Sequence, residues 1–252
     1  MDLQLKDKTV IVTGGASGIG AGICRVFAKE GANLVINYRS RDAEAAELAR
    51  ELEDSWGVGT LLCKADVTRP EEAENLFRQA QASFPTVDVL VNNAAGNVVF
   101  KPFQAYSEED WKAAQEGITD HVFRMSQHFL RYCMENHREG RIINILSKSA
   151  ILSSSIHNLT YVANKGALTA LTRGMAKEFI QYGVYVNGIV PGYVKTRVHQ
   201  DGAERTERVK KLLPLHSFAE PEEIGNMAAV LASPLFRQMV GAIVDCTGGT
   251  LI

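Results

Sequence analysis

Long apolar runs are absent from this chain of 252 residues: nowhere do about 18 consecutive apolar residues occur, so no membrane-spanning helix is expected. Residues 1–8 carry no apolar signal core, which makes a soluble cytoplasmic protein the expectation. Excess charge of one sign is also missing. With a formal net charge of -2 and scattered basic residues, nothing is available to neutralise a phosphate backbone, which argues against nucleic acid as a partner. The four cysteines, Cys24, Cys63, Cys133 and Cys246, lie far apart, with no C-x-x-C and no histidine at ligand spacing. They read as small apolar core residues, and no metal is expected.

What the chain does have is alternation of short β-branched runs with helical periodicity. Thr9-Val10-Ile11-Val12 suits a strand buried on both faces of a parallel sheet. Thr13-Gly14-Gly15-Ala16-Ser17-Gly18-Ile19-Gly20 follows, and then Ile23, Val26 and Phe27 at helical spacing. The glycines therefore sit at a strand-to-helix turn, where free amides and the positive end of a helix dipole can face a pyrophosphate. The spacing predicts further strands over 33–37, 59–65, 87–91, 141–146, 184–190 and 240–246. Helices are expected over 42–55, 71–83, 107–136 and 161–182, with another opened by Pro221. The fold class expected is α/β: a single-domain Rossmann-type doubly wound parallel sheet of about seven strands, helices on both faces, spanning 1–252.

Tyr161 and Lys165 lie four residues apart, on one face of a helix and one turn from each other. A free phenol titrates near ~10, so acting as a base near neutral pH needs roughly 4 kcal/mol of preferential stabilisation of its anion. The lysine can supply part of this, although the same spacing also describes an ordinary surface pair.

The turn spacing G-x-x-x-G-x-G together with Tyr161 and Lys165 resembles the short-chain dehydrogenase/reductase family, and the resemblance covers essentially the whole chain. It implies a nicotinamide cofactor bound by Gly14, Ser17, Gly18, Ile19 and Gly20, by Asn37, Arg39 and Ser40 after the second strand, and by Asp66 and Val67 after the third. Asn92-Asn93-Ala94-Ala95-Gly96 matches the family's N-N-A-G element, with Asn93 and Ala94 beside the cofactor. Pro191, Gly192, Val194 and Thr196 match its P-G motif. Tyr161 and Lys165 contact the same cofactor, and Ser147, Tyr161 and Lys165 form the catalytic set.

An acidic residue at position 37 would favour NAD. Asn37 there, with Arg39 and Arg41 nearby, leads us to expect NADP(H), NAD(H) remaining usable. Arginines merely solvated at a helix start would look the same, and many NADP-dependent relatives carry a basic residue where this chain has Ser17. Asp66 fits an adenine contact or a helix-capping turn equally well.

Two departures stand out. Ile118 occupies the position of the family's catalytic asparagine, seven residues after Trp111, and Ser147 precedes Tyr161 by one residue more than is usual. His121, where many relatives have glycine, is expected to reach solvent or a neighbouring subunit. Residues 96–103 and 149–160 should line the substrate pocket, with His157 either touching substrate or exposed, and roughly 195–215 should form a lid.

The function expected is interconversion of a small-molecule carbonyl and a secondary alcohol. The pattern most resembles 3-oxoacyl-acyl-carrier-protein reductases, with sugar, polyol or steroid dehydrogenases as alternatives. A nucleotide-binding regulator that has lost its chemistry is the rival from another class, supported by Ile118 alone. A homotetramer or homodimer is the default assembly.

Overall fold

A computed structural model describes residues 1–96, 98–152, 156–196 and 203–251. Seven strands form one sheet: β1 (Thr9–Val12), β2 (Asn33–Tyr38), β3 (Thr60–Lys64), β4 (Val89–Asn92), β5 (Gly140–Ile145), β6 (Val184–Pro191) and β7 (Ile243–Cys246). The spatial order is β3-β2-β1-β4-β5-β6-β7, and every pairing is parallel. The chain runs outward from β1 to β3, then returns to the other side of β1 to lay down β4. A crevice therefore opens between the carboxyl ends of β1 and β4, where ligands bind in doubly wound sheets.

Strand residues alternate between two apolar layers. Val10 and Val12 face helix α1 (Gly18–Lys29), α2 (Asp42–Trp56) and α9 (Pro221–Ala232) through Ile23, Phe27, Leu52 and Ile224. Ile11 and Leu90 face α3 (Pro70–Ser83), α5 (His121–Glu135) and α7 (Leu159–Phe179) through Leu76, Phe129 and Met175. Cys24, Cys63 and Cys133 are buried and Cys246 half-buried, all as free thiols; burial pushes Cys24 up to about 12.

The helix expected over 107–136 is three pieces. Ser107 caps α4 (Glu108–Gln115), a wide π-helical turn spans Glu116–Asp120, and α5 continues from it. Hydrophobic spacing does not register a turn that admits one extra residue without ending the helix. A short α6 (Ser149–Leu152) follows β5, and α8 (Ala203–Leu212) follows β6. Residues 153–155 of the expected pocket segment and 197–202 of the expected lid lie outside the described residues.

The first and last main helices meet backbone to backbone. A Cβ on Gly22 of α1 would lie 2.4 Å from the Pro221 carbonyl carbon of α9, and one on Gly225 would lie 2.8 Å from the Gly22 oxygen. Gly22→Ala should therefore lower unfolding free energy by about 1–3 kcal/mol, the usual cost of overpacking, in spite of alanine's better helix propensity. Gly174→Ala in α7, where nothing lies within 4 Å, should be neutral or stabilising. Urea unfolding of both variants checks the contrast, and equal effects would contradict it.

Candidate active site

The glycine turn is built to meet an anion. Gly14 and Gly18 take positive φ of 62° and 55°, which a side chain would strain. A Cβ on Gly20 would fall 2.3 Å from the Gly14 oxygen, so that glycine closes the turn from behind. Ser17 is the N-cap of α1, yet its side chain makes no capping bond and the first turn holds no acid. The amide donors and the dipole are left for a ligand.

A cleft of about 480 Å³ opens beside this turn. Gly14, Ser17, Gly18, Ile19, Asn37, Arg39, Ser40, Asp66, Val67, Asn93, Ala94 and Thr196 all line it, as the sequence led us to expect. Tyr38, Arg41, Thr68, Gly96, Gly117 and His121 line it too. Gly20, Tyr161, Lys165, Pro191, Gly192 and Val194 do not. Gly192 packs against Thr247, where a Cβ would come within 2.7 Å of the carbonyl oxygen, and Val194 is buried in a bridge to Ala219.

Asn37 shapes the cleft wall rather than offering a free amide. Its Nδ2 donates to Cys63 O (3.2 Å) and Ala65 O (2.9 Å), and its Oδ1 accepts from Gly14 N at 3.2 Å. One buried side chain thus joins the ends of β2 and β3 to the glycine turn. Arg39 is 61% exposed in its side chain, with Nη1 3.5 Å from an Asp66 oxygen, and Arg41 is 3.4 Å from Glu44. Asp66 serves the turn and the cleft together. Burial opposes its ionisation, but two hydrogen bonds from Thr68 and the nearby Arg39 outweigh this and hold it below the usual range.

On the other side of the crevice, the Thr13 hydroxyl accepts from Asn93 N and Ala94 N, each at 3.0 Å. Asn93 Nδ2 returns to Thr13 O (3.0 Å) and Gly14 O (3.2 Å). Behind it, Asn92 donates to Asn144 (2.9 Å), which donates to Thr172 on α7 (2.9 Å). The uncapped helix, the glycines and the open groove together suit the pyrophosphate and ribose of a nicotinamide dinucleotide.

Ser147, Tyr161 and Lys165 come together at the carboxyl end of β5. The Ser147 hydroxyl lies near enough to the Tyr161 hydroxyl to favour its anion, and it accepts from Ser149 N at 3.2 Å. Lys165 is 3% exposed; its Nζ donates to Ile145 O at 2.6 Å and lies 6.0 Å from the centre of the Tyr161 ring. Burial pulls the lysine down to about 8. Burial also raises Tyr161, against the effect of the Ser147 hydroxyl. Lys165, expected to supply part of the lowering, does not offset the desolvation of the phenol in the protein alone.

Ile118 is buried in the π turn and offers no polar group. Its neighbour Thr119 donates to Asn164 Oδ1 at 2.5 Å, and Asn164 donates to Thr160 O at 2.8 Å. His121 corrects the expectation of an outward side chain. It is fully buried, with Nε2 3.1 Å from Ala94 O and Nδ1 3.3 Å from Glu116 O, and it reaches neither solvent nor a subunit face. The loop after β4 closes over it, and Gly96 N donates to Gly117 O at 3.0 Å. Nothing in the local sequence signals that closure. His157 has positive φ (67°) and is exposed; its carbonyl accepts from Lys101 N (2.8 Å) and from the Tyr106 hydroxyl (2.9 Å). Among the described residues no cluster of His, Cys, Asp and Glu could hold a metal, and no helix is long and apolar enough to cross a membrane.

Residues 14–250 match the family described as enoyl-(acyl carrier protein) reductase. The chain is 34% identical over 249 residues to 3beta-hydroxysteroid dehydrogenase 1 of Eggerthella lenta, covering 98% of this chain and 94% of that protein. L-sorbose reductase from Gluconobacter frateurii, solved with NADPH and L-sorbose, superposes with a TM-score of 0.92 at 30% identity over 100% of this chain and 99% of that one. A 7 alpha-hydroxysteroid dehydrogenase complexed with NADH and 7-oxo glycochenodeoxycholic acid gives 0.90 at 31% identity, covering 98% and 96%.

His121 makes stability depend on pH. Burial, with Lys165 and Arg124 nearby, lowers it from 6.5 to about 4, so between these values the unfolded chain binds more protons than the folded one. Stability must fall as pH drops through that window, by up to roughly 3 kcal/mol. Urea unfolding at pH 7 and pH 4 should show a smaller loss for His121→Gln than for the native protein; equal losses would contradict the assignment.

Proposed function

The chain belongs to the short-chain dehydrogenase/reductase family of oxidoreductases, and on that premise we propose that it interconverts a carbonyl compound and a secondary alcohol with NADP(H) as preferred cofactor. The observation that carries the reading is the convergence of Ser147 and Tyr161 beside a buried lysine pinned to the end of β5. Bound in the cleft, the nicotinamide supplies or accepts the hydride. Ser147 orients the substrate oxygen, and Tyr161 gives it a proton in reduction or takes one in oxidation. Lys165 holds a positive charge beneath the phenol.

Preference for NADP(H) is supported by Arg39 and Arg41 on the cleft rim and by the lack of a carboxylate at Asn37. Relatives solved with NADPH and with NADH bracket the choice. For substrate we favour ketones with an apolar body, 3-oxoacyl thioesters among them, over sugars and polyols, because Phe100, Ile151 and Leu152 are exposed in the segments that follow β4 and β5. The exposed Trp111 and Phe123, on α4 and α5, support a homodimer or homotetramer. Ile118 supports the regulator reading, but the contact of Ser147 with Tyr161 and the placement of Lys165 weigh against it.

Oxidation of NADPH and NADH against a panel of acyl, aromatic, steroid and sugar ketones tests this directly. NADPH should be the better donor, and Tyr161→Phe should lose at least about 10²-fold in turnover while still binding the cofactor. An advantage for NADH would sink the cofactor choice, and an active Tyr161→Phe the assignment of the proton donor.

A further inference from the structure

Lys148 follows Ser147 directly at the carboxyl end of β5 and is half-buried. Among the described residues its ammonium meets no carboxylate. It rests 3.8 Å above the ring of Tyr193, which follows β6, the adjacent strand. Tyr193 in turn stacks on Phe218, with centroids 5.5 Å apart and planes at 18°. Tyr193 O accepts from Ala219 N at 2.9 Å, which fixes the 213–219 segment to this side of the crevice. Burial draws the lysine below its ordinary value, so its charge is partly desolvated and held by a ring face rather than by an anion.

Exposed apolar residues lie on the segments that leave the neighbouring strands. Phe100 follows β4, Ile151 and Leu152 lie on α6 after β5, and Leu212 and Leu215 follow β6; all five are exposed. The segments that follow β4, β5 and β6 thus each carry exposed apolar residues. Hydrogen bonds from Lys101 N to His157 O and from the Tyr106 hydroxyl to Val99 O and His157 O join the 98–106 segment to the loop before α7. The ring face offsets only part of the cost of desolvating this half-buried cation, and a negative partner would offset more.

We propose that Lys148 is a specificity-determining residue that binds an oxyanion carried by an apolar ketone or alcohol while Ser147 and Tyr161 hold the reacting oxygen. The assignment rests on the proposed carbonyl chemistry of that site. Two sources present the same chemistry, the carboxylate of an apolar oxo acid and the phosphate of a phosphopantetheine thioester. A neutral polyol carries neither.

The test compares matched probes. One arm sets phenyl-substituted oxo acids of increasing chain length against their methyl esters. The other sets a 3-oxoacyl thioester of pantetheine against that of 4′-phosphopantetheine. Binding to the NADP⁺-saturated protein is measured by calorimetry, and kcat and KM with NADPH in parallel. In one arm the anionic member should be favoured by about tenfold or more, chiefly in Kd and KM. The preference should collapse towards unity in Lys148→Met and survive in Lys148→Arg, and the responding arm identifies the source. If no anionic member is preferred, including binding by neither member, or if the preference persists in Lys148→Met, the proposal is overturned. Discrimination in binding without any turnover would leave Lys148 as assigned and remove the oxidoreductase reading instead.

Discussion

The bond from the Lys165 ammonium to the Ile145 carbonyl is the constraint on which the site depends. It places a cation with 3% exposure at the last residue of β5, where the strand's own ladder has ended and its carbonyl is free to accept. Burying that charge is costly, and the packing of α7 through Leu168, Met175 and Phe179 must offset it. A second polar connection, from Asn92 through Asn144 to Thr172, fastens the same helix to β4 and β5. With α7 held at two heights, Tyr161 on its first turn can only lie beside Ser147 on the loop after β5.

The same economy appears at the crevice mouth. Asn37, Thr13 and Asn93 each spend their hydrogen bonds on backbone of neighbouring strand ends, so the glycine turn is held from both sides while the first turn of α1 stays without a side-chain cap. Their contribution to a dinucleotide is the shape of the groove. The π turn completes it from above, tied to the 94–96 loop by His121 and Gly117 and to α7 by Thr119 and Asn164. It thus bridges the cofactor wall and the helix of the proposed acid, although Ile118 leaves it without a polar side chain at that position.

The sheet and the glycine turn were legible in the sequence because each rests on local pattern, whereas Ser147, Tyr161 and Lys165 were singled out as a set by resemblance to the family. β-branched runs of strand length alternate with helical periods, and motif spacing carries the rest. What escaped depends on segments remote in sequence. The π turn leaves hydrophobic spacing intact on both sides. His121 reads as an outward polar residue until Ala94 and Gly96 fold across it. Asn37 reads from the sequence only as a cofactor contact at the end of β2, and only β3 alongside shows where its amide goes. Lys148 gave no signal because Tyr193 lies on another strand's loop.

The raised titration of Tyr161 sharpens the account of proton transfer. In the protein alone neither Lys165 nor Ser147 overcomes desolvation of the phenolate, so under the proposed chemistry its activation requires further positive charge, as oxidised nicotinamide would bring. The most direct test is the pKa of the Tyr161 hydroxyl, read as the phenolate absorbance that the native protein shows and Tyr161→Phe lacks, with and without saturating NADP⁺. The account predicts a value above the ordinary 10.0 in the protein alone and a fall when NADP⁺ is added. A phenolate that already titrates near neutral pH without NADP⁺, or a pKa that does not move when NADP⁺ binds, would contradict it.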